Sequence, residues 1–224
     1  MQLVVRLERT NPPTARAVWA AAAQAVVALL ADRRSGPDGE WEADVNRWLG
    51  GRIRKLVRRA RGAAWEHVQT LPGVTVDRQG TEVRAFVPGP VDAVAADIAK
   101  LQLQEFTVAE DDAEPPAPPG WWGLVIAVNP AVGASVGKLA AQAAHAANVA
   151  WLQLGPDRRE RWAAAGLALL VDRPDRAAWD RFVAEAPVVI RDAGFTEVAP
   201  GTTTAAARWM AFPAGGVRPV QWGT

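Results

Sequence analysis

Three short patterns occur twice, in the same order, along this chain, and a sequence that repeats its strand and helix signals is constrained to fold them twice. An apolar strand-like run opens each half: Leu3-Val4-Val5-Arg6-Leu7 in the first, Leu124-Val125-Ile126-Ala127-Val128 in the second. Each leads through an Asn-Pro turn, Asn11-Pro12 or Asn129-Pro130, to an Ala-rich helix containing Ala-Ala-Gln. The two glutamines, Gln24 and Gln142, are 118 residues apart. Later, Ala63-Ala64-Trp65-Glu66 and Ala177-Ala178-Trp179-Asp180 each precede a further apolar strand, at an offset of 114.

Residues 109–120, acidic and rich in proline, separate the halves. Proline lacks the N–H that a hydrogen-bond ladder needs, so this segment reads as an extended, semi-rigid linker between residues 1–108 and 121–224. In the second half the patterns predict strand 123–128, helix 135–154, a short helix 156–165 and strand 167–172. Helix 175–185, strand 187–191 and strand 203–212 follow. Pro156 and Pro174 fall near first-turn positions, where a missing N–H costs nothing. The run Leu167-Ala168-Leu169-Leu170-Val171 is continuous rather than alternating, the signature of burial on both faces. The first half predicts strand 2–8, helices 14–31 and 40–49, strand 52–59, helix 63–70, strands 73–78 and 81–87, and a last helix over 91–101. Strands alternating with helices give an α/β fold: two related α/β sandwich repeats, each a small mixed four-stranded sheet flanked by helices.

Composition excludes several classes of chemistry. With no cysteine, disulfides and thiolate catalysis are ruled out, and with two histidines a His-rich metal site is not expected. Neither a metal nor another cofactor is required. No apolar run reaches membrane-spanning length, and no secretory signal is evident, so a cytoplasmic protein is expected. Net charge is +1, so no whole-molecule field demands a nucleic acid. Positive charge is concentrated locally instead, in Arg52, Arg54, Lys55, Arg58, Arg59 and Arg61, a run that can neutralise phosphates or simply be solvated.

Within Gly137-Lys138-Leu139-Ala140-Ala141-Gln142-Ala143-Ala144-His145-Ala146, helical spacing sets Lys138, Gln142 and His145 on one face of a bed of methyl groups. A second segment, residues 188–204, starts as a strand and runs into a Gly/Pro loop containing Arg191-Asp192-Ala193-Gly194 and Gly201-Thr202-Thr203-Thr204. Together they resemble the second, archaeal-and-eukaryotic-type class of peptidyl-tRNA hydrolases. That family carries Gly-Lys-x-Ala-Ala-Gln-x-x-His-Ala followed by Arg-Asp-Ala-Gly-x-Thr-x-x-x-x-Gly-Thr-x-Thr. The two matches stand in the right order, about fifty residues apart, and the resemblance covers roughly residues 121 to 212. The close of the first half, residues 80–90, is also similar to the end of the family's domain.

The resemblance implies hydrolysis of the ester joining a peptide to the terminal ribose of tRNA, with peptidyl-tRNA as the partner. Its implied catalytic set is Lys138, His145, Asp192, Thr196 and Thr204, and its substrate contacts are Gln142, Gly194, Gly201 and Thr202. Asp192 can orient or deprotonate a water, or cap a turn. Lys138 suits a phosphate or a developing negative charge. His145 can shuttle a proton near neutral pH, contact the terminal nucleotide, or be a structural histidine. Gln142 can touch ligand or pack, and Thr203 alternates to the other strand face from Thr202 and Thr204. Family members commonly pair as homodimers, so the two repeats are expected to form a pseudo-dimer within one chain. The first copy is degenerate: Ala20 and Val27 stand where Lys138 and His145 do, and Arg78 where Asp192 does. Two departures from the family pattern stand out. Residues 128–135 lack its Arg, Asp and added Lys, and residues 212–216 lack its Gly-Pro before a final helix. A non-catalytic RNA- or protein-binding module on the same scaffold is the alternative.

Overall fold

The computed structural model describes residues 1–103, 106–110, 120–194 and 197–212. Most of the linker, Thr196 and the end from Pro213 onward lie outside the described residues.

The first half runs β1 (Gln2–Arg6), α1 (Ala15–Ala31), a 3-10 turn (Arg33–Ser35), α2 (Glu42–Leu49), β2 (Leu56–Ala60), α3 (Gly62–Val68), β3 (Gly73–Arg78), β4 (Thr81–Phe86) and a single-turn α4 (Ala96–Ala99). The second runs β5 (Trp122–Val128), α5 (Val136–Leu152), α6 (Pro156–Ala164), β6 (Leu169–Asp172), α7 (Arg176–Glu185), β7 (Val188–Arg191) and β8 (Thr203–Ala211). The protein is therefore α/β, with two four-stranded mixed sheets flanked by helices. Their strand orders are β2-β1-β4-β3 and β6-β5-β8-β7. In each, the first strand pairs in parallel with the second and antiparallel with the last, and the last pairs antiparallel with the third.

Local chemistry sets the helix starts. Thr14, Ser135 and Asp175 each hold extended backbone and accept a hydrogen bond from the N–H three residues on. Pro156 is the first residue of α6, whereas Pro174 precedes the Asp175 cap and lies outside α7. The long helices α1 and α5 are buried almost all round, because they lie side by side between the sheets. Each packs on its own sheet, on the other helix, and on the edge strand of the opposite sheet, β6 for α1 and β2 for α5. A surface of Ala20, Ala21, Ala22 and Ala23 against Ala140, Ala143, Ala144 and Ala147 belongs to one apolar cluster shared by both halves. Smaller clusters sit on the outer faces, around Trp65 beneath α3 and α4 and around Trp179 and Phe182 on α7.

Three expectations are corrected. Residues 91–101 do not form one helix: Val91 and Asp92 make a turn, with Ala93 N–H donating to Pro90 O at 3.2 Å, and only Ala96–Ala99 coils, burying Ile98. Beyond it, Arg58 donates to Ala99 O and Leu101 O, and Arg59 pairs with Gln102, which draws the chain along β2 instead. Strand 52–59 begins four residues late, at Leu56, where pairing with Gln2 starts. Leu167 to Val171 is not buried on both faces, because β6 is an edge strand whose burial alternates; the central β5 carries the continuous burial.

Candidate functional site

The clearest difference between the halves is the connection between the last two strands. In the first half, β3 and β4 are joined by Gln79-Gly80, both at positive φ, a two-residue hairpin turn. In the second, β7 and β8 are separated by residues 192–202, and this loop carries the polar residues.

Asp192 is buried at the mouth of the loop. Its backbone is clamped from both sides: its N–H donates to Thr202 O at 2.9 Å, and its C=O accepts from Gly201 N–H at 2.8 Å. The carboxylate accepts three hydrogen bonds, from Lys138 Nζ at 2.5 Å and Gln142 Nε2 at 2.8 Å on Oδ2, and from Gly194 N–H at 2.8 Å on Oδ1. Gln142 Oε1 in turn accepts from Thr204 Oγ1 at 2.7 Å. Thr204 is fully buried, and the Lys138 and Asp192 side chains are only 13% and 6% exposed, so this ion pair is shielded from bulk water. Residues over sixty positions apart in sequence thus form one network on the α5 face that helical spacing predicts.

Gly194, Gly201 and Thr202 build the seat of Asp192 with their backbones. Gly194 needs its positive φ of 79° and has no room for a side chain, since a Cβ would lie 2.3 Å from the Pro200 ring. Thr196 lies outside the described residues. Glu197, which sequence reasoning passed over, accepts from Ser135 N–H at 2.6 Å and Ser135 Oγ at 2.8 Å. A carboxylate there complements the positive end of α5 and ties the loop to the helix that carries Lys138.

His145 lies farther along the same helix face, but its chemistry is not that of a neutral-pH proton shuttle. Burial, then the neighbouring charge of Lys55, push its pKa down to about 4, against a smaller upward pull from Asp192. The imidazole is neutral at physiological pH. Lys55 comes from the first half, its Nζ 3.3 Å from His145 Nδ1 and donating to Asn148 Oδ1 at 2.8 Å.

The rest of the basic run divides. Arg58 and Arg59 tie the 99–102 segment to β2, with Arg58 also bound to Gln2 Oε1 at 3.2 Å. Arg61 is exposed at the start of α3, Arg52 is exposed at an adjoining depression, and Arg54 lines the cleft. Among the described residues no three His, Cys, Asp or Glu side chains gather where they could hold a metal, and no helix is long and apolar enough to cross a membrane.

Lys55, Lys138, Gln142, His145, Asp192 and Glu197 open on one cleft of about 1410 Å³ between the halves. Its polar wall holds Lys138, Gln142, His145, Arg191, Asp192 and Glu197. The first half supplies an apolar wall that includes Ile53, Phe86 and the exposed side chains of Leu56, Val91 and Leu103. The chain matches no known family model and no curated protein.

Proposed function

We propose that this chain hydrolyses the ester bond of peptidyl-tRNA, releasing peptide and free tRNA. The observation that carries the reading is the Lys138–Asp192–Gln142–Thr204 network at the wall of a roomy cleft, built from the two segments that resemble the hydrolase family. Ester hydrolysis needs an oriented water and compensation for negative charge on the carbonyl oxygen. Lys138 supplies the positive charge, held in place by Asp192. Asp192 Oδ1 accepts from Gly194 and retains lone-pair capacity to orient a water. Arg54 and Arg191 on the cleft, with Arg52 beside it, are suited to the phosphates of the tRNA end, and the apolar wall suits the side chains of the peptide.

In this reading the first half is a supporting copy and the chain a covalent pseudo-dimer. The identical strand orders support it, and so does the use made of the first half's corresponding residues. Gln24, opposite number of Gln142, donates to Gly166 O at 2.9 Å, and Arg78, opposite number of Asp192, donates to Leu169 O at 2.9 Å. Both reach into the second half as tethers. The linker would make their pairing intramolecular.

The test is release of free tRNA from an N-acetylated aminoacyl-tRNA by the purified chain. Lys138→Ala and Asp192→Ala should each lower turnover by about 10²-fold or more while folded structure persists by circular dichroism. A wild-type chain that never frees tRNA, or variants that turn over normally, would overturn the reading. A binding module without catalysis is the second reading, favoured by how fully the network's members satisfy one another; it predicts salt-sensitive tRNA binding with no cleavage.

A further inference from the structure

Lys55 precedes β2 in the first half, yet its side chain enters the wall formed by the second. Three electron-rich groups meet its Nζ: Asn148 Oδ1 at 2.8 Å, the face of Trp48 with its centroid at 4.8 Å, and His145 Nδ1 at 3.3 Å. Asn148 is fully buried, three residues beyond His145 and on the same side of α5, so the amine bridges two positions of one helix from another half of the molecule.

We propose that Lys55 is a positioning residue of the site: it holds His145 as the tautomer protonated on Nε2, making the imidazole a fixed hydrogen-bond donor to an oxygen of the bound substrate. As an ammonium, the form that both the amide oxygen and the indole face favour, the lysine nitrogen has three N–H donors and no lone pair, so the ring nitrogen beside it must offer its own. The proton consequently resides on the other ring nitrogen.

The charge state follows from the same packing. Burial holds the Lys55 amine well below the usual lysine range, and burial together with Lys55 keeps His145 neutral down to about pH 4. The Met1 amine, bound to Arg54 O at 2.9 Å, senses Lys55; Asp192 acts on His145 from the 192–202 loop; Glu40, Asp44, Arg54, Lys138, Arg191 and Glu197 line the same cleft. A neutral imidazole that donates without titrating can stabilise negative charge on an ester oxygen across the working pH range. The identity of that oxygen rests on the hydrolase reading; the tautomer does not.

The experiment is a long-range proton–nitrogen correlation spectrum of the full chain labelled at histidine, recorded from pH 5 to 8. The chain has two histidines, and a His67→Gln variant identifies the signals of His145. We expect a protonated Nε2, a bare Nδ1, and no titration above about pH 5. In Lys55→Met the midpoint should rise but stay below the ordinary histidine value, because burial, the larger cause, remains, and the two tautomers should mix. Lys55→Arg, which keeps a donor, should preserve the single tautomer. A wild-type ring protonated on Nδ1 would overturn the proposal without any variant, as would an unchanged spectrum in folded Lys55→Met. In the tRNA-release assay Lys55→Met should lower kcat about tenfold with little change in KM, and on acidification its activity should fall at a higher pH than that of the wild type. Wild-type protein with the expected spectrum but no tRNA release would refute the hydrolase reading and leave the assignment of Lys55 intact.

Discussion

At the scale of single residues, the decisive feature is the shielded Lys138–Asp192 pair. Removing one partner from a buried pair is worse than removing both, because the remaining charge keeps its desolvation cost without its counter-charge. Asp192→Asn should therefore destabilise the protein by about 3 kcal/mol, and combining it with Lys138→Met should restore much of the loss. Urea denaturation of the two single variants and the double variant measures this. Simple additivity would mean that the pair is not coupled as the 2.5 Å contact implies. Thr204 shows how much of such a network a sequence reveals. Strand alternation puts Thr204 and Thr203 on opposite faces, and Thr204 is indeed the buried one, reaching Gln142. Alternation says nothing about what lies across from that face, so the Gln142 partner came only from folding.

At the scale of elements, the site is an enlarged strand connection. A two-residue turn in the first half leaves β3 and β4 paired to their ends, while the 192–202 loop of the second pulls the chain aside and seats a carboxylate. Gly194 and Gly201 both have positive φ, but they differ in room. A Cβ at Gly201 would meet nothing within 4 Å, whereas one at Gly194 would drive into Pro200. Gly201→Ala should cost only the backbone penalty of about 1–2 kcal/mol. Gly194→Ala should cost more and displace Asp192 from its N–H donor, lowering stability and, if the proposed hydrolysis holds, tRNA release. Equal effects in thermal melts would show that the loop does not pack as described. Helix starts were legible in the sequence because a cap is a short-range device: Ser135 needs only Lys138 N–H. Residues 91–101 depart from the expected helix because good helix formers there are outcompeted by Arg58 and Arg59, whose grip on the 99–102 segment belongs to the sheet.

At the scale of the whole molecule, the two halves share their main core. The polyalanine faces of α1 and α5 bury one another, Trp19 Nε1 donates to Val136 O at 3.2 Å, and Arg16 pairs with Asp172 at 2.9 Å. Small side chains allow the helices to approach closely, and the interface they form is part of the interior rather than an added contact. Residues 121–224 alone should accordingly expose the apolar face of α5 and associate or fail to fold. Sedimentation and circular dichroism of that fragment provide the check, and a well-folded monomer would contradict the shared core. The cleft exists because the halves meet: its apolar wall belongs to the first, and its charged groups come from both, Asp44, Arg54 and Lys55 from the first and Lys138, Arg191, Asp192 and Glu197 from the second.

What the sequence determined by itself is what local chain geometry governs. Helical spacing aligned Lys138, Gln142 and His145, caps marked the helix starts, and the repeated patterns announced two sheets of one kind. The tertiary structure decided everything that depends on which surfaces meet. It turned Lys55 inward while Arg58 was engaged by backbone carbonyls and Arg59 by the Gln102 side chain, set Glu197 on the end of α5, and held His145 neutral by burial and a borrowed amine. A repeat distance is written into the covalent chain. The charge and partner of a side chain are fixed only when water leaves and another part of the molecule takes its place.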